Sequence, residues 1–295
     1  MPIKFEHGSS NNESRQHQER SPEYLKILGE LEQIIDAPEE EQKEFIERRL
    51  AFLSKNAESG EISHISRQIH AGFLGPDMKI RRSMIVDPFV VNDPSLYTHF
   101  LKTIKTFRTT RGWEEKTLRE IVPFAIQWSL SEYFGNATAN QDTEVQNREF
   151  YLEHTSAESQ PISIKELKGR EFAVCAEKAA VAQNLLAFVG MEADLIASAS
   201  CRIVSEGEDG AHYYILIHGP KGDIIYDPTN PRLLLDRDRK LISYSPAVYP
   251  ISEEQSQQLT SGGSIQVEHI DNKTNENNQQ LPERSMRLYA GPLPN

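Results

Sequence analysis

Apolar residues recur with a helical period in three segments near the start of the chain. In "SPEYLKILGELEQIID", Ser21 and Pro22 suit a helix start, and leucines and isoleucines form one stripe. The segment "APEEEQKEFIERRLAFLSKNA" repeats the pattern with acidic residues in its first turn. A weaker third pattern, "SGEISHISRQIHAGFLG", predicts a helix that ends at Gly75. Together these segments predict a helical N-terminal region over residues 22–90.

Polar and proline-rich stretches mark the limits of this region. Residues 1–21 contain few large apolar side chains, so they cannot bury enough surface to offset the entropy of ordering and are predicted to be disordered. Three prolines break the helical pattern in "PDMKIRRSMIVDPFVVNDP". We therefore expect a domain boundary near residue 90.

Three further helices are predicted beyond this boundary. "DPSLYTHFLKTIKTFRTTRG" has an Asp-Pro start, and "WEEKTLREIVPFAIQWSLSEYFG" is a long amphipathic pattern in which Trp128 is expected to point inward. Residues 135–163 are polar and without apolar periodicity, which predicts a long surface loop. A helix that begins at Cys175 follows, with an inward stripe formed by Cys175, Ala179, Ala182, Leu186 and Val189.

The pattern changes to strands after Gly190. "ADLIASASCRIV", "AHYYILIH" and "DIIYDP" are predicted strands, the last two joined by the turn "GPKG", and "KLISYSPAVYP" is a further strand. These elements belong to a predicted main domain over residues 91–250. Residues 251–295 are rich in Gln, Asn and Ser and are predicted to be a polar, largely flexible tail, in which "SIQVEHI" and "SMRLYAG" are isolated strands.

Composition and charge narrow the class of protein. The 295-residue chain carries 32 basic and 44 acidic side chains, and its net charge of −12 argues against binding to nucleic acid. Two cysteines are too few for a disulfide scaffold or a structural zinc site, so we expect a reducing, cytoplasmic setting. The first residues lack the apolar stretch of a secretory signal, and no run has the length of a membrane span. We therefore expect neither nucleic-acid nor membrane partners.

Cys175 is the first candidate for chemistry. It is predicted to lie in the first turn of its helix, where unpaired backbone N–H groups and the positive end of the helix dipole favour a thiolate. The preceding Ala173 and Val174 are poor capping residues. We therefore expect the N–H groups of this turn to be available for an oxyanion.

The predicted hairpin brings a histidine and a carboxylate together. If its turn is Pro220-Lys221, Tyr214 lies opposite Asp227, and His212 lies on the same face as Tyr214. The backbone spacing then separates His212 and Asp227 by roughly 7–8 Å, which is within side-chain reach. A thiolate that attacks a carbonyl, an imidazole that moves the proton and a carboxylate that orients the imidazole form a set for nucleophilic catalysis.

Each candidate also has an ordinary structural explanation. A lone cysteine on an apolar helix face is usually a packed hydrophobe, and an aspartate before a proline often begins a turn. His218 shares a strand face with His212 and is a rival, although its place beside the turn predicts exposure. Cys201 is predicted to be a core residue of its strand. The three candidates would also suit a catalytic zinc, but a hairpin diagonal beside a helix start suits metal-free thiolate chemistry.

Three motifs in this order resemble the transglutaminase-like superfamily of papain-related cysteine enzymes. "VCAEKAAVAQNLLAFVGMEADLIAS" is similar to the nucleophile helix and following strand of that family, "GAHYYILI" to its histidine strand and "GDIIYDPTNP" to its Asp-Pro-Thr ending. The resemblance covers about residues 95–250 and implies an α+β fold in which the nucleophile helix packs on an antiparallel sheet. It also implies that Cys175 is the nucleophile, His212 the general base and acid, and Asp227 the orienting carboxylate, with no cofactor or metal.

The same resemblance implies thiol-dependent acyl transfer on amide bonds through a thioester, with a protein or peptide as substrate. Hydrolysis of a peptide or isopeptide bond is favoured over transglutamination, because the sequence has no calcium-loop pattern of oxygen ligands. The alternative function is a catalytically silent module that binds proteins, since a fold does not prescribe a function. The sequence leaves the substrate, the acyl acceptor and the oligomeric state open.

Overall fold

A computed structural model describes most of the chain beyond the first 21 residues. The described residues are 22–59, 64–71, 82–87, 93–110, 113, 115–136, 141–154, 160–203, 209–219, 222–235, 241–261, 263–268 and 285–289. The predicted disorder of residues 1–21 lies outside this part of the chain.

Groups of strands and groups of helices follow the two N-terminal helices. The helices are α1 (Pro22–Ile34), α2 (Glu39–Ser59), α3 (Pro94–Thr109), α4 (Leu118–Phe134), α5 (Gln141–Glu153), α6 (Cys175–Phe188) and α7 (Glu253–Thr260), with a 3-10 turn at Ile164–Leu167. The strands are β1 (Gln68–Ala71), β2 (Arg82–Ile85), β3 (Ile162–Ser163), β4 (Ala193–Ile203), β5 (Asp209–Ile217), β6 (Ile224–Leu235), β7 (Leu241–Pro250), β8 (Ser264–Glu268) and β9 (Ser285–Tyr289).

The described strands form two sheets. In the small sheet, β2 pairs antiparallel with β1 and parallel with β3. The large sheet has the order β7-β6-β5-β4-β9-β8, and all its pairings are antiparallel. Because β4 to β7 are neighbours in both sequence and space, they form a meander, whereas β9 lies between β4 and β8. These sheets and the helices confirm the predicted α+β class.

Helix α6 lies at the centre of the molecule. Each of its residues from Ala176 to Phe188 is buried. Alanines make up much of the helix, which allows close packing against β4, β5 and β6 on one side, while α2 and α4 contact its other sides. The helix is therefore enclosed on all sides, whereas the sequence predicted a single inward stripe.

One apolar core spans the boundary that was predicted near the end of the N-terminal region. Buried residues of α1 and α2, such as Leu31 and Leu53, belong to the same cluster as those of α6 and β5. Arg49 of α2 is buried and donates from Nε to the Phe188 carbonyl at 3.0 Å and from Nη2 to the Ala187 carbonyl at 2.9 Å. Since the last carbonyls of a helix have no partner within it, Arg49 caps the C-terminal end of α6.

Three local predictions are wrong. The segment that was predicted to be a third helix contains β1, where Ile69 and Ala71 are buried and their neighbours are exposed. This alternation has the period of a strand, but it is too short to stand out in the sequence. The predicted loop over residues 135–163 contains α5, and Trp128 is 40% exposed instead of pointing inward.

The described part of the predicted flexible tail forms regular structure. The two strands predicted within it are present as β8 and β9, but they are paired and not isolated. The helix α7 begins at the N-cap Ser252, whose hydroxyl accepts from the Gln255 N–H at 3.2 Å. The strands β8 and β9 pair with each other and, through β9, with β4. Leu259, Ile265 and Val267 are buried in a second apolar cluster on the large sheet. This part of the chain therefore extends the sheet and covers one of its faces.

Candidate active site

The chain that leads to Cys175 is fastened to the end of α4. The N–H groups of Gly169 and Glu171 donate to the carbonyls of Tyr133 and Phe134 at 2.9 and 2.8 Å. Glu171 adopts a φ of 63°, in the left-handed region that residues other than glycine rarely occupy. This strained turn persists because both of its hydrogen bonds are made to a rigid helix end.

Two asparagines hold the last residues before the helix. Asn136, just after α4, donates to the Ala173 carbonyl at 3.0 Å, and Asn147 of α5 donates to the Phe172 carbonyl at 3.1 Å. Cys175 is the first residue of α6, as the sequence predicted, and it is partly exposed with a free thiol. Its position therefore depends on α4 and α5 as well as on its own helix.

His212 and Asp227 meet across the β5–β6 hairpin. The register pairs Ile215 with Tyr226, which is the register that the sequence predicted. His212 Nε2 donates to Asp227 Oδ2 at 2.9 Å, and the two residues are only 8% and 1% exposed. The predicted diagonal pair is therefore a direct, buried hydrogen bond.

Asp227 is held in place by its own loop. Its Oδ1 accepts from the Thr229 N–H at 2.9 Å, and its Oδ2 accepts from Asn230 Nδ2 at 2.9 Å as well as from His212. The pairing of β6 with β7 shifts register just after Asp227, so the following residues bend away from the ladder. This bend brings hydrogen-bond donors to both oxygens of the Asp227 carboxylate.

Gln127 of α4 fixes the same bend from outside the sheet. Its side chain is buried, donates to the Pro228 carbonyl at 3.1 Å and accepts from the Tyr226 hydroxyl at 3.2 Å. A buried amide with both ends bonded is rigid, because any other orientation would leave a polar group unpaired. Helix α4 therefore orients the strand segment on either side of Asp227.

The pKa shifts describe a charged pair next to a thiol. Burial lowers the pKa of His212, but the charge and hydrogen bond of Asp227, together with a hydrogen bond to Cys175, raise it well above its usual value. Burial raises the pKa of Asp227, but the charge and hydrogen bond of His212 and the donors of Asn230 and Thr229 lower it overall. The pair is therefore an imidazolium and a carboxylate at neutral pH. Since Nε2 binds Asp227, Nδ1 is the ring nitrogen that remains for Cys175.

The sequence analysis missed a buried carboxylate one turn into α6. Glu177 is 0% exposed and accepts from the Tyr151 hydroxyl at 2.6 Å, from Asn147 Nδ2 at 3.1 Å and from the Val174 N–H at 3.1 Å. The last bond occupies the N–H of the residue before the helix. The predicted oxyanion donors, the N–H groups of the first turn at residues 175–177, are not used by the helical ladder. A glutamate three residues after a helix N-cap is the sequence signal for this contact.

A buried lysine lies beside this carboxylate. Lys178 is 0% exposed, and its Nζ donates to the Asn136 carbonyl at 3.2 Å. Burial lowers its pKa to about 8, although the negative charges of Glu177, Asp227 and Cys175 act in the opposite direction. Nothing in the local sequence predicts this burial, because lysines in helices usually reach solvent.

The rival histidine is bound at the opposite end of β5. His218 Nε2 donates to Asp194 Oδ2 at 3.0 Å, and its Nδ1 contacts Asp223 Oδ1 at 3.2 Å. His64 Nδ1 contacts the other oxygen of Asp194 at 3.1 Å. His218 is therefore partly buried and not exposed as predicted. Cys201 lies in β4 as predicted, but its side chain is outside the described part.

Among the described residues, no group of three His, Cys, Asp or Glu side chains is arranged to hold a metal ion. No described helix combines the length and apolar character that crossing a membrane requires. No protein-family model, curated protein or solved structure matches this chain.

Proposed function

We propose that the protein catalyses thiol-dependent acyl transfer on amide bonds, with Cys175, His212 and Asp227 as its triad on a transglutaminase-like, papain-related core. The main support is the buried hydrogen bond between His212 and Asp227 beside the partly exposed Cys175, whose interaction with the ring helps to raise the pKa of His212. A packed structural cysteine does not need a buried imidazolium beside it, whereas a nucleophile does.

The first half of the reaction forms a thioester. In the reactive ion pair the thiol proton already lies on Nδ1 of His212, and the Cys175 thiolate attacks the carbonyl carbon of the amide. N–H groups in the first turn of α6 donate hydrogen bonds to the carbonyl oxygen and stabilise its developing negative charge, since the helix dipole is positive there. His212 then returns the proton to the leaving nitrogen, so that the C–N bond breaks, an amine departs and a C–S bond remains.

The second half regenerates the thiol. His212 removes a proton from water, and the resulting hydroxide attacks the thioester carbonyl. The C–S bond then breaks, the carboxylic acid leaves, and the thiolate is restored beside the imidazolium. Asp227 stays ionised throughout and holds the ring, because its oxygens are already bonded to Asn230 and Thr229. A primary amine in place of water would give transamidation.

The test is to trap the acyl-enzyme from a peptide library and locate the adduct by mass spectrometry. The Cys201→Ser variant is the reference protein, so that Cys175 is the one thiol available. We expect a peptide acyl group on Cys175 that disappears in a Cys175→Ala control and is released by water. Absence of any adduct, together with slow iodoacetamide labelling that His212→Ala does not change, would instead favour the silent protein-binding module.

A further inference from the structure

The buried ammonium of Lys178 follows Cys175 by three positions on α6, so the two residues are neighbours on the helix surface. Its Nζ donates to the Asn136 carbonyl, which is a neutral group. Burying an ammonium costs several kcal/mol unless negative charge lies nearby. The groups that interact with it electrostatically are Glu177, Asp227 and Cys175. The lysine therefore belongs to the electrostatics of the site.

A count of charges defines what Lys178 contributes. When Cys175 is a thiolate, three negative groups act on Lys178: the partly exposed thiolate and the buried Asp227 and Glu177. Imidazolium His212 supplies one positive charge, and without Lys178 the excess would be two negative charges in a region shielded from water. Charge of one sign in such a region is strongly unfavourable. The second cation reduces the excess to one.

We infer that Lys178 is a positioning residue that stabilises the thiolate of Cys175 by supplying the second positive charge of the site. This inference rests on the proposed function. Glu177 has its own ties to α5 through Tyr151 and Asn147, so it is fixed without the lysine and would oppose the thiolate if left alone. The positive charge of Lys178 balances the charge of Glu177, and the His212 imidazolium balances the charge of Asp227.

The first experiment measures the rate of iodoacetamide alkylation of Cys175 between pH 4 and 9. It uses full-length Cys201→Ser protein with Lys178 unchanged, replaced by Met or replaced by Arg. We expect Lys178→Met to move the midpoint of the profile upward by about one pH unit, which makes alkylation about tenfold slower on the acidic side. Lys178→Arg, which keeps the charge, should restore most of the rate.

Thermal unfolding of the same proteins separates electrostatics from packing. If Lys178 only fills space, the Met variant will unfold at a lower temperature, but its alkylation midpoint will not move. That result would overturn the inference. Failure of the proposed acyl transfer is distinguishable, because the peptide adduct would then be missing while the alkylation midpoint still shifts.

A second measurement avoids variants of the lysine. Isotope-edited NMR of the lysine Cε and Nζ signals follows the titration of Lys178 in the reference protein and in Cys175→Ala. If thiolate and ammonium stabilise each other, removal of the sulfur must lower the pKa of Lys178 below its value of about 8, because linkage is reciprocal. An unchanged titration would contradict the inference even if every Lys178 variant failed to fold.

Discussion

Two histidines that bind aspartates, one in strand β5 and one directly after it, differ in one decisive feature of their surroundings. His212 binds Asp227 through one ring nitrogen, and Cys175 contributes to its raised pKa. His218 has a carboxylate at each ring nitrogen, Asp194 at one and Asp223 at the other. The first arrangement leaves a ring nitrogen that can exchange a proton with the Cys175 sulfur. In the second, both ring nitrogens are bonded to carboxylates, so neither is available for such an exchange.

The comparison teaches that a histidine–aspartate pair is not itself a catalytic signature. His218 lies at the end of β5 and links the start of β4, through Asp194, to the segment that precedes β6, through Asp223. His64 joins the same cluster from the N-terminal region. This arrangement fastens three parts of the chain together. The group at the second ring nitrogen separates the candidate site at His212 from the structural cluster of His218, Asp194, Asp223 and His64, which we call the clamp.

The largest difference between the two histidines should appear in thiol reactivity. In the Cys201→Ser background, we expect His212→Ala to slow alkylation of Cys175 at pH 6 by about 100-fold, because the imidazolium that stabilises the thiolate is removed. His218→Ala is the matched control and should change the rate by less than about twofold. Stopped-flow alkylation with mass-spectrometric site assignment measures both. Equal losses would mean that the two pairs are not functionally distinct.

The clamp should instead be visible in the pH dependence of stability. Burial lowers the pKa of His218, but hydrogen bonds and charges of Asp194 and Asp223 raise it to about 9, above the ordinary value of 6.5. Protonated His218 therefore stabilises the folded state, fully below pH 6.5, and this contribution is lost as the pH rises through about 9. The expected loss is about 2 kcal/mol after allowance for partial exposure.

Urea unfolding at pH 6.5 and pH 9.5 measures this loss. His218→Gln is compared with the unchanged protein at both values, so that titration of Lys178, whose pKa is about 8, cancels in the difference. The gap in unfolding free energy between the two proteins should shrink at the higher pH. A gap that is the same at both values would show that His218 does not act as a charged clamp.

Replacing the carboxylate of each pair sharpens the comparison further. Asp227→Asn keeps the shape of the site but removes the charge that raises the pKa of His212. We expect alkylation of Cys175 to slow about tenfold at pH 6, a loss of about 1.4 kcal/mol. Asp194→Asn should leave that rate unchanged and lower the unfolding temperature. The reverse pattern would mean that the pair that controls the reactivity of Cys175 is His218 with Asp194, and not His212 with Asp227.

The smallest effects are expected from the outer donors of the two pairs. Asn230 donates to Asp227, and the Ser256 hydroxyl donates to Asp223 in the clamp. Asn230→Ala should slow alkylation about threefold to fivefold, because Asp227 loses one hydrogen bond but keeps those from His212 and Thr229. Ser256→Ala is the control and should have no effect on that rate. A larger effect from Ser256→Ala would mean that the two ends of β5 are coupled.

The hairpin and its dyad were predictable because they depend on local rules. A short turn and strict alternation determine the register, and the register alone puts His212 beside Asp227. The start of α6 at Cys175 was predictable for the same reason, since a long run of alanine and leucine begins there. These features require no information about distant parts of the chain.

The rest of the site depends on contacts between distant segments. Helix α5 was missed because its inward residues include polar Asn147 and the hydroxyl of Tyr151, which give no apolar period but bind Glu177. Burial of Lys178 depends on a backbone carbonyl 42 residues earlier. Arg49 reaches the end of α6 across 138 residues. Such pairings follow from tertiary packing, and no window of sequence contains them.

The place of β9 between β4 and β8 has a consequence for biosynthesis. The meander from β4 to β7 joins consecutive segments and is able to pair while later residues are still being made. Strand β8 hydrogen-bonds to β9, and β9 to β4, so β8 joins the sheet only after translation has reached Tyr289. A ribosome-bound chain that ends before Ser285 leaves the edge of β4 uncovered, and uncovered edges are templates for aggregation.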